Sequence, residues 1–255
     1  MSGRSSAGKD RLRGSSSCQV LSREELIEEV RRRIIEWEKR HWAPYPWRVK
    51  RSPYYILIAE VLLKRTTRQA VAREFHKFVQ RYPDFYSIHN APIGDIEKAL
   101  RNLGLYRQRA KQLKELAKAI VEKYNGEVPD TWENLVSLPG IGPYTAGAVL
   151  SFGYGKKAPV LDSNVARLLT RLTGKQAKKL DDFLRLLWEL VPDEGHDYFN
   201  YGLIDLGAVI CHYRQPYCDK CPLSDICVYR LRSEGKEEEA KCLEVLYDSL
   251  EHRVT

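Results

Sequence analysis

Apolar residues recur along nearly the whole chain at steps of three and four, the period of a helix with one buried stripe. No stretch shows the strict alternation of a half-buried strand, so the pattern predicts an all-α fold. Ser22 and Glu25 have capping-box spacing, and Leu26, Val30, Ile34 and Trp37 then share one face, which predicts a first amphipathic helix. A Trp- and Pro-rich loop over 41–48 leads to Ser52 and Pro53, a pair suited to the N-cap and first position of the next helix. Further helices are expected over 66–81, 92–102, 106–124, 131–137, 143–153, 164–173, 179–191 and 198–210, with Gly104 and Gly126 as helix stops. From Gly235 through His252 a charged segment reads as a peripheral helix.

The chain has 255 residues, 43% of them hydrophobic, enough for one sizeable core or two smaller ones. Its apolar runs fall short of the roughly 20 residues a membrane helix needs, so a soluble protein with no membrane partner is expected. Residues 1–20 are rich in Ser, Gly and Arg and lack the apolar centre of a secretory signal, which predicts a disordered basic arm. The net charge of +8 points to a polyanionic partner or to an ordinary solvated surface.

Six cysteines without such a signal indicate a reducing compartment, where clustered thiols more often hold metal than form disulfides. Cys211, Cys218, Cys221 and Cys227 follow the pattern C-x6-C-x2-C-x5-C, a short loop whose thiolates can converge on one centre. Ligand chemistry alone leaves zinc and an iron–sulfur cluster both open. Cys18 and Cys242 stand apart and read as free thiols.

Leu138-Pro139-Gly140-Ile141-Gly142 lies between two helical segments, and its glycines permit positive φ and a close approach of another backbone. Such turns are usually structural. Downstream, Val160-Leu161-Asp162-Ser163-Asn164 places an acid at a helix entrance, where the plain reading is an N-cap. Glu60 interrupts the apolar run from Ile56 to Leu63; it is either on an exposed helix side or a carboxylate facing a wet cavity. Tyr144 reads equally as aromatic packing between hairpin helices.

The segments LPGIGPYTAGAV and LDSNVARLLTRL, followed by the cysteine loop, closely resemble the endonuclease III superfamily of helix-hairpin-helix DNA glycosylases, over about 47–227. The resemblance implies a [4Fe–4S] cluster on Cys211, Cys218, Cys221 and Cys227. It implies Asp162 as the catalytic carboxylate, suited to the positive charge a departing base leaves on the sugar. The hairpin residues Gly140, Gly142 and Thr145 would grip the DNA backbone. The segment AEVLLKRTT is similar to the matching helix of MutY-type and thymine-mismatch enzymes, which makes Glu60 a second catalytic residue. Lys64 and Arg65 then occupy a wedge position that fills the gap of an extruded nucleotide; glutamine is familiar there, so the basic pair is a departure.

At the position of Tyr144, bifunctional endonuclease III carries a lysine whose amine forms a Schiff base, and MutY-type enzymes usually carry serine. Tyrosine there resembles the archaeal-type thymine glycosylases. The resemblance therefore implies a monofunctional glycosylase acting on thymine or uracil opposite guanine, with double-stranded DNA bearing a mismatched or damaged base as partner. The alternatives are an adenine glycosylase acting opposite 8-oxoguanine and a non-catalytic cluster-bearing DNA-binding protein. We expect a monomer in a prokaryotic cytoplasm, associated with the nucleoid. The expected organisation is the arm 1–20, a hairpin domain 52–165, a cluster-bearing domain from 21–51 and 166–232, and a C-terminal helix 233–255.

Overall fold

A computed structural model describes residues 21–176 and 180–250 of the chain. The expected N-terminal arm, with Cys18, and the chain from 251 onward lie outside them. Among the described residues there are fourteen α-helices, several short 3-10 turns and no strand, in agreement with the all-α expectation.

Local chemistry sets the helix starts. α1 (Arg23–His41) opens on the expected capping box: the Ser22 hydroxyl accepts from the Glu25 N–H at 3.2 Å, and the Glu25 carboxylate accepts from the Ser22 N–H at 2.7 Å. The loop that follows contains one helical turn, α2 (Pro46–Val49), too short to show a period in sequence. α3 (Pro53–Leu63) starts behind Ser52, whose hydroxyl accepts from the Tyr55 N–H at 3.1 Å, and is buried from Ile56 through Leu62. α4 (Arg68–Arg81) is capped by Thr67. α5 (Phe85–Asn90) was not expected; Asp84 caps it, with Ser87 in the place that Glu or Gln usually fills.

The hairpin region follows. α6 (Ile93–Leu100) and α7 (Tyr106–Tyr124) lead to α8 (Trp132–Val136) and α9 (Pro143–Ala148), which continues into a π turn over Val149–Gly153. Gly147 is required here, because a Cβ would stand 2.0 Å from the Pro159 carbonyl oxygen. α10 (Ser163–Thr173), α11 (Leu184–Leu190) and α12 (His196–Val209) then precede the cysteine loop, and α13 (Val228–Ser233) and α14 (Glu237–Ser249) follow it.

Packing sorts these helices into two sets around a continuous apolar core. α1, α10, α12, α13 and α14 pack on one another, while α3 lies against α4, α7 and α9, with α5 and α6 on α7. The chain leaves the first set after α1 and returns to it at α10, so Asp162 stands at the crossing. α14 is not peripheral: Tyr247 is fully buried and donates a hydrogen bond to the Ile226 carbonyl at 2.9 Å, and Ala240 and Leu250 are buried beside it.

Candidate active site

α3, α9 and the start of α10 bring Glu60, Tyr144 and Asp162 together. Glu60 is only 7% exposed, and α3 has no solvent side at that position, which removes the surface reading. Burial pushes its carboxyl up to about 7; a hydrogen bond from Tyr144 works against this and the negative charge of Asp162 adds to it. The Tyr144 phenol is held well above its ordinary value of 10 by burial, then by Glu60 and Asp162. It stays protonated, an O–H donor rather than a phenolate. Asp162 is half-buried and does cap α10: Oδ1 accepts from the Val165 N–H at 2.7 Å, and Oδ2 accepts from the Asn164 amide at 3.1 Å. The plain reading of Asp162 is thus realised in the geometry, on a side chain whose charge also reaches the other two groups.

A charged cluster that the sequence pattern did not single out adjoins this trio. Asp205, 5% exposed on α12, accepts from Arg48 at 2.8 and 3.0 Å and from Arg68. Arg48 also donates to the fully buried Glu38 at 3.2 Å, and its guanidinium lies 4.2 Å over the Tyr201 ring, whose other face stacks on Phe152. Arg68 is near enough to pull down the carboxyl of Glu60 and the phenol of Tyr144. The missed signal is the one that marked Glu60: Asp205 also interrupts an apolar run, Leu203 to Leu206.

Beside the trio stand the expected DNA-contacting residues. Lys64 and Arg65 are exposed in the turn after α3, and the Lys64 ammonium donates to the Gly140 carbonyl at 2.7 Å, tying that turn to the hairpin. Gly140 has φ +73, and a Cβ there would crowd the Gln112 side-chain nitrogen at 2.6 Å. Gly142 departs from the expectation of positive φ: it is extended at φ -107 and serves as the N-cap of α9 with open space around it. Both glycines are exposed. Thr145, unlike the two glycines, is buried, so its hydroxyl is not presented at the surface.

The four clustered cysteines line one cavity, walled by Leu168, Leu172, Ile210 and Leu223. Among the described residues no three His, Cys, Asp or Glu side chains converge tightly enough to hold a single metal ion. Four sulfurs facing one apolar space are the donor set that either a tetrahedral zinc or an iron–sulfur cluster takes. Two arginines of α10 hold this loop: Arg171 donates to Cys211 Sγ at 3.3 Å and to the His212 and Tyr213 carbonyls, and Arg167 donates to the Cys211 carbonyl at 2.9 Å.

Residues 58–193 match the family model described as HhH-GPD superfamily base excision DNA repair protein. The chain belongs to that superfamily. It is 42% identical over 189 residues to the thymine/uracil-DNA glycosylase of Methanothermobacter thermautotrophicus, covering 72% of this chain and 86% of that one. It is 35% identical to the adenine DNA glycosylase of Buchnera aphidicola subsp. Baizongia pistaciae, covering 71% of this chain and 52% of that one. The solved structure of a thermostable thymine-DNA glycosylase superposes with a TM-score of 0.77 at 36% identity, covering 82% of this chain and 97% of that one.

HhH-GPD proteins commonly carry a [4Fe–4S] cluster. The matched stretch contains Glu60, Tyr144 and Asp162 but ends before Cys211, so for this member the cluster reading stands on the cysteine cavity itself. No helix among the described residues is long and apolar enough to cross a membrane.

Proposed function

We propose that this protein is a monofunctional DNA glycosylase that removes thymine or uracil mispaired with guanine from double-stranded DNA. The observation that carries the reading is the meeting of Glu60, Tyr144 and Asp162 where the two helix sets join. When the bond from the sugar to the base breaks, the electron pair leaves with the base and positive charge develops on the sugar. Asp162 supplies the negative charge that stabilises it. Glu60, with a carboxyl near 7, holds a proton close to neutrality and delivers it to the departing pyrimidine; water then supplies the hydroxyl at the sugar and its second proton returns to the Glu60 carboxylate. Tyr144 orients Glu60, and because a phenol cannot form a Schiff base, the product is an intact abasic strand.

The exposed turns at Gly140 and Gly142 offer backbone amides to phosphate, and Lys64 and Arg65 enter the space the extruded nucleotide leaves. Cys211, Cys218, Cys221 and Cys227 would hold the [4Fe–4S] cluster, which supplies iron–thiolate bonds that fix the loop. In this reading the two sets of helices act as the two lobes of a monomer.

The test is a panel of duplexes bearing T·G, U·G, A·G, A·8-oxoguanine and thymine glycol, with and without alkali. T·G and U·G should be processed to abasic strands that break only in alkali. Strand cleavage without alkali overturns the monofunctional assignment, and a preference for A·8-oxoguanine moves the chain to the adenine class. No release from any duplex leaves a DNA-binding protein.

A further inference from the structure

Arg109 on α7 is 4% exposed, and its hydrogen-bond partners among the described residues are all neutral oxygens. Its guanidinium donates to the carbonyls of Val61 at 2.8 Å, Leu62 at 2.9 Å and Lys64 at 2.6 Å, to the Gly104 carbonyl at 3.1 Å, and to the Thr66 hydroxyl. Three of these carbonyls end α3, the negative pole of its backbone dipoles, which explains how a buried cation persists there without a carboxylate. The fourth belongs to the turn that precedes α7. Thr66 makes a second tie between the same turns, donating to the Leu103 carbonyl at 3.3 Å.

The two turns so joined contain Arg65 at φ 56 and Leu105 at φ 47, non-glycine residues in the left-handed region. Both side chains are exposed, so neither is locked by packing of its own. Their conformations must be held from behind, and Arg109 is the group that both turns share.

We propose that Arg109 is a positioning residue for base extrusion: it keeps the Lys64–Arg65 turn and the Gly104–Leu105 turn in fixed register, so that they meet DNA as one rigid edge. The inference rests on the glycosylase reading. Arg109 touches no reacting atom, and its effect falls on the step in which a base leaves the stack. That step is easier when the base has no partner.

Single-turnover uracil release is measured on two duplexes, U·G and uracil opposite an abasic analogue. Arg109→Lys keeps the cation and loses the planar fork; its rate should fall about tenfold on U·G, and less than about threefold on the unpaired substrate. Equal loss on both duplexes, or no loss on U·G, overturns the proposal. A role in folding alone would lower the unfolding temperature and leave the ratio of the two rates unchanged. If Arg109→Lys fails to fold, Thr66→Val decides by the same ratio, since it removes the hydroxyl that accepts from Arg109 and donates to Leu103 and leaves the arginine with its carbonyls. A wild-type protein that releases uracil from neither duplex sinks the glycosylase reading itself, and this proposal with it.

Discussion

On the proposed mechanism Asp162 carries two tasks on one side chain, cap and charge, and they separate by substitution. Its cap needs only an oxygen that accepts from the Val165 N–H, which asparagine also provides, whereas stabilising a sugar cation needs the charge. Asp162→Asn should therefore keep the unfolding temperature and mismatch binding while losing roughly three orders of magnitude in single-turnover base release. Asp162→Ala should lose the rate and also about 1 kcal/mol of stability from the missing cap. A near-normal rate for the asparagine variant removes Asp162 from the mechanism. Glu60 is distinguished by pH. With its carboxyl raised to about 7, the protonated acid dominates below that pH and is depleted above it. The single-turnover rate should fall as pH rises through about 7, and this limb should vanish in Glu60→Gln. A rate that instead climbs through the same range assigns Glu60 as the base that activates water.

At the scale of helices, what could be read was whatever local chemistry decides. Ser22 with Glu25, and Ser52 before Pro53, announce α1 and α3 because caps involve neighbours in sequence. α2, α5 and α13, of four to six residues, escaped because a period cannot show over one turn. The positive φ of Arg65 and Leu105 escaped because neither is glycine, and Arg109, which ties the Lys64–Arg65 turn, lies far along the chain from it. In the site, Glu60 stood out as an acid in an apolar run, yet Asp205, in the same setting, became visible only when α12 met Arg48 and Arg68. The cysteines were legible by spacing, but their tie to the helix that Asp162 caps was not: α10 grips the Cys211 loop through Arg167 and Arg171. The protein purified without oxygen should be yellow-brown, with about four iron and four sulfide per chain. Cys221→Ser should lose that absorption and lower the unfolding temperature and DNA affinity more than the rate at saturating enzyme. A colourless wild type holding one zinc rules out the cluster.

For the whole molecule, the buried charges set how stability depends on pH. Glu38 from α1, Arg48 from α2, Arg68 from α4 and Asp205 from α12 meet between the two helix sets, where unpaired charge is costly. Burial, and then the neighbouring Asp205, push Glu38 from 4.5 up to about 7, although Arg48 and Arg68 oppose the rise. Glu60 reaches the same range through burial. Between about pH 4.5 and 7 the folded chain thus holds protons that the unfolded chain has released, and stability must fall as pH rises through that window. Surface carboxylates act in the opposite sense. Hydrogen bonds from Arg32 and Arg33 bring Glu29 down to about 2, and Arg33 lowers Asp225, so both add stability that is lost as pH falls below the ordinary carboxylate range. These pairs reach solvent and are screened by salt, so the buried glutamates should dominate near neutrality. The unfolding temperature of the wild type should accordingly decline from about pH 5 to about pH 7.5. Glu38→Gln with Glu60→Gln removes both titrations, and the decline should disappear. A wild-type unfolding temperature that rises over this range, or an undiminished decline in the double variant, would show that these carboxyls are ionised in the folded protein at lower pH than their burial dictates.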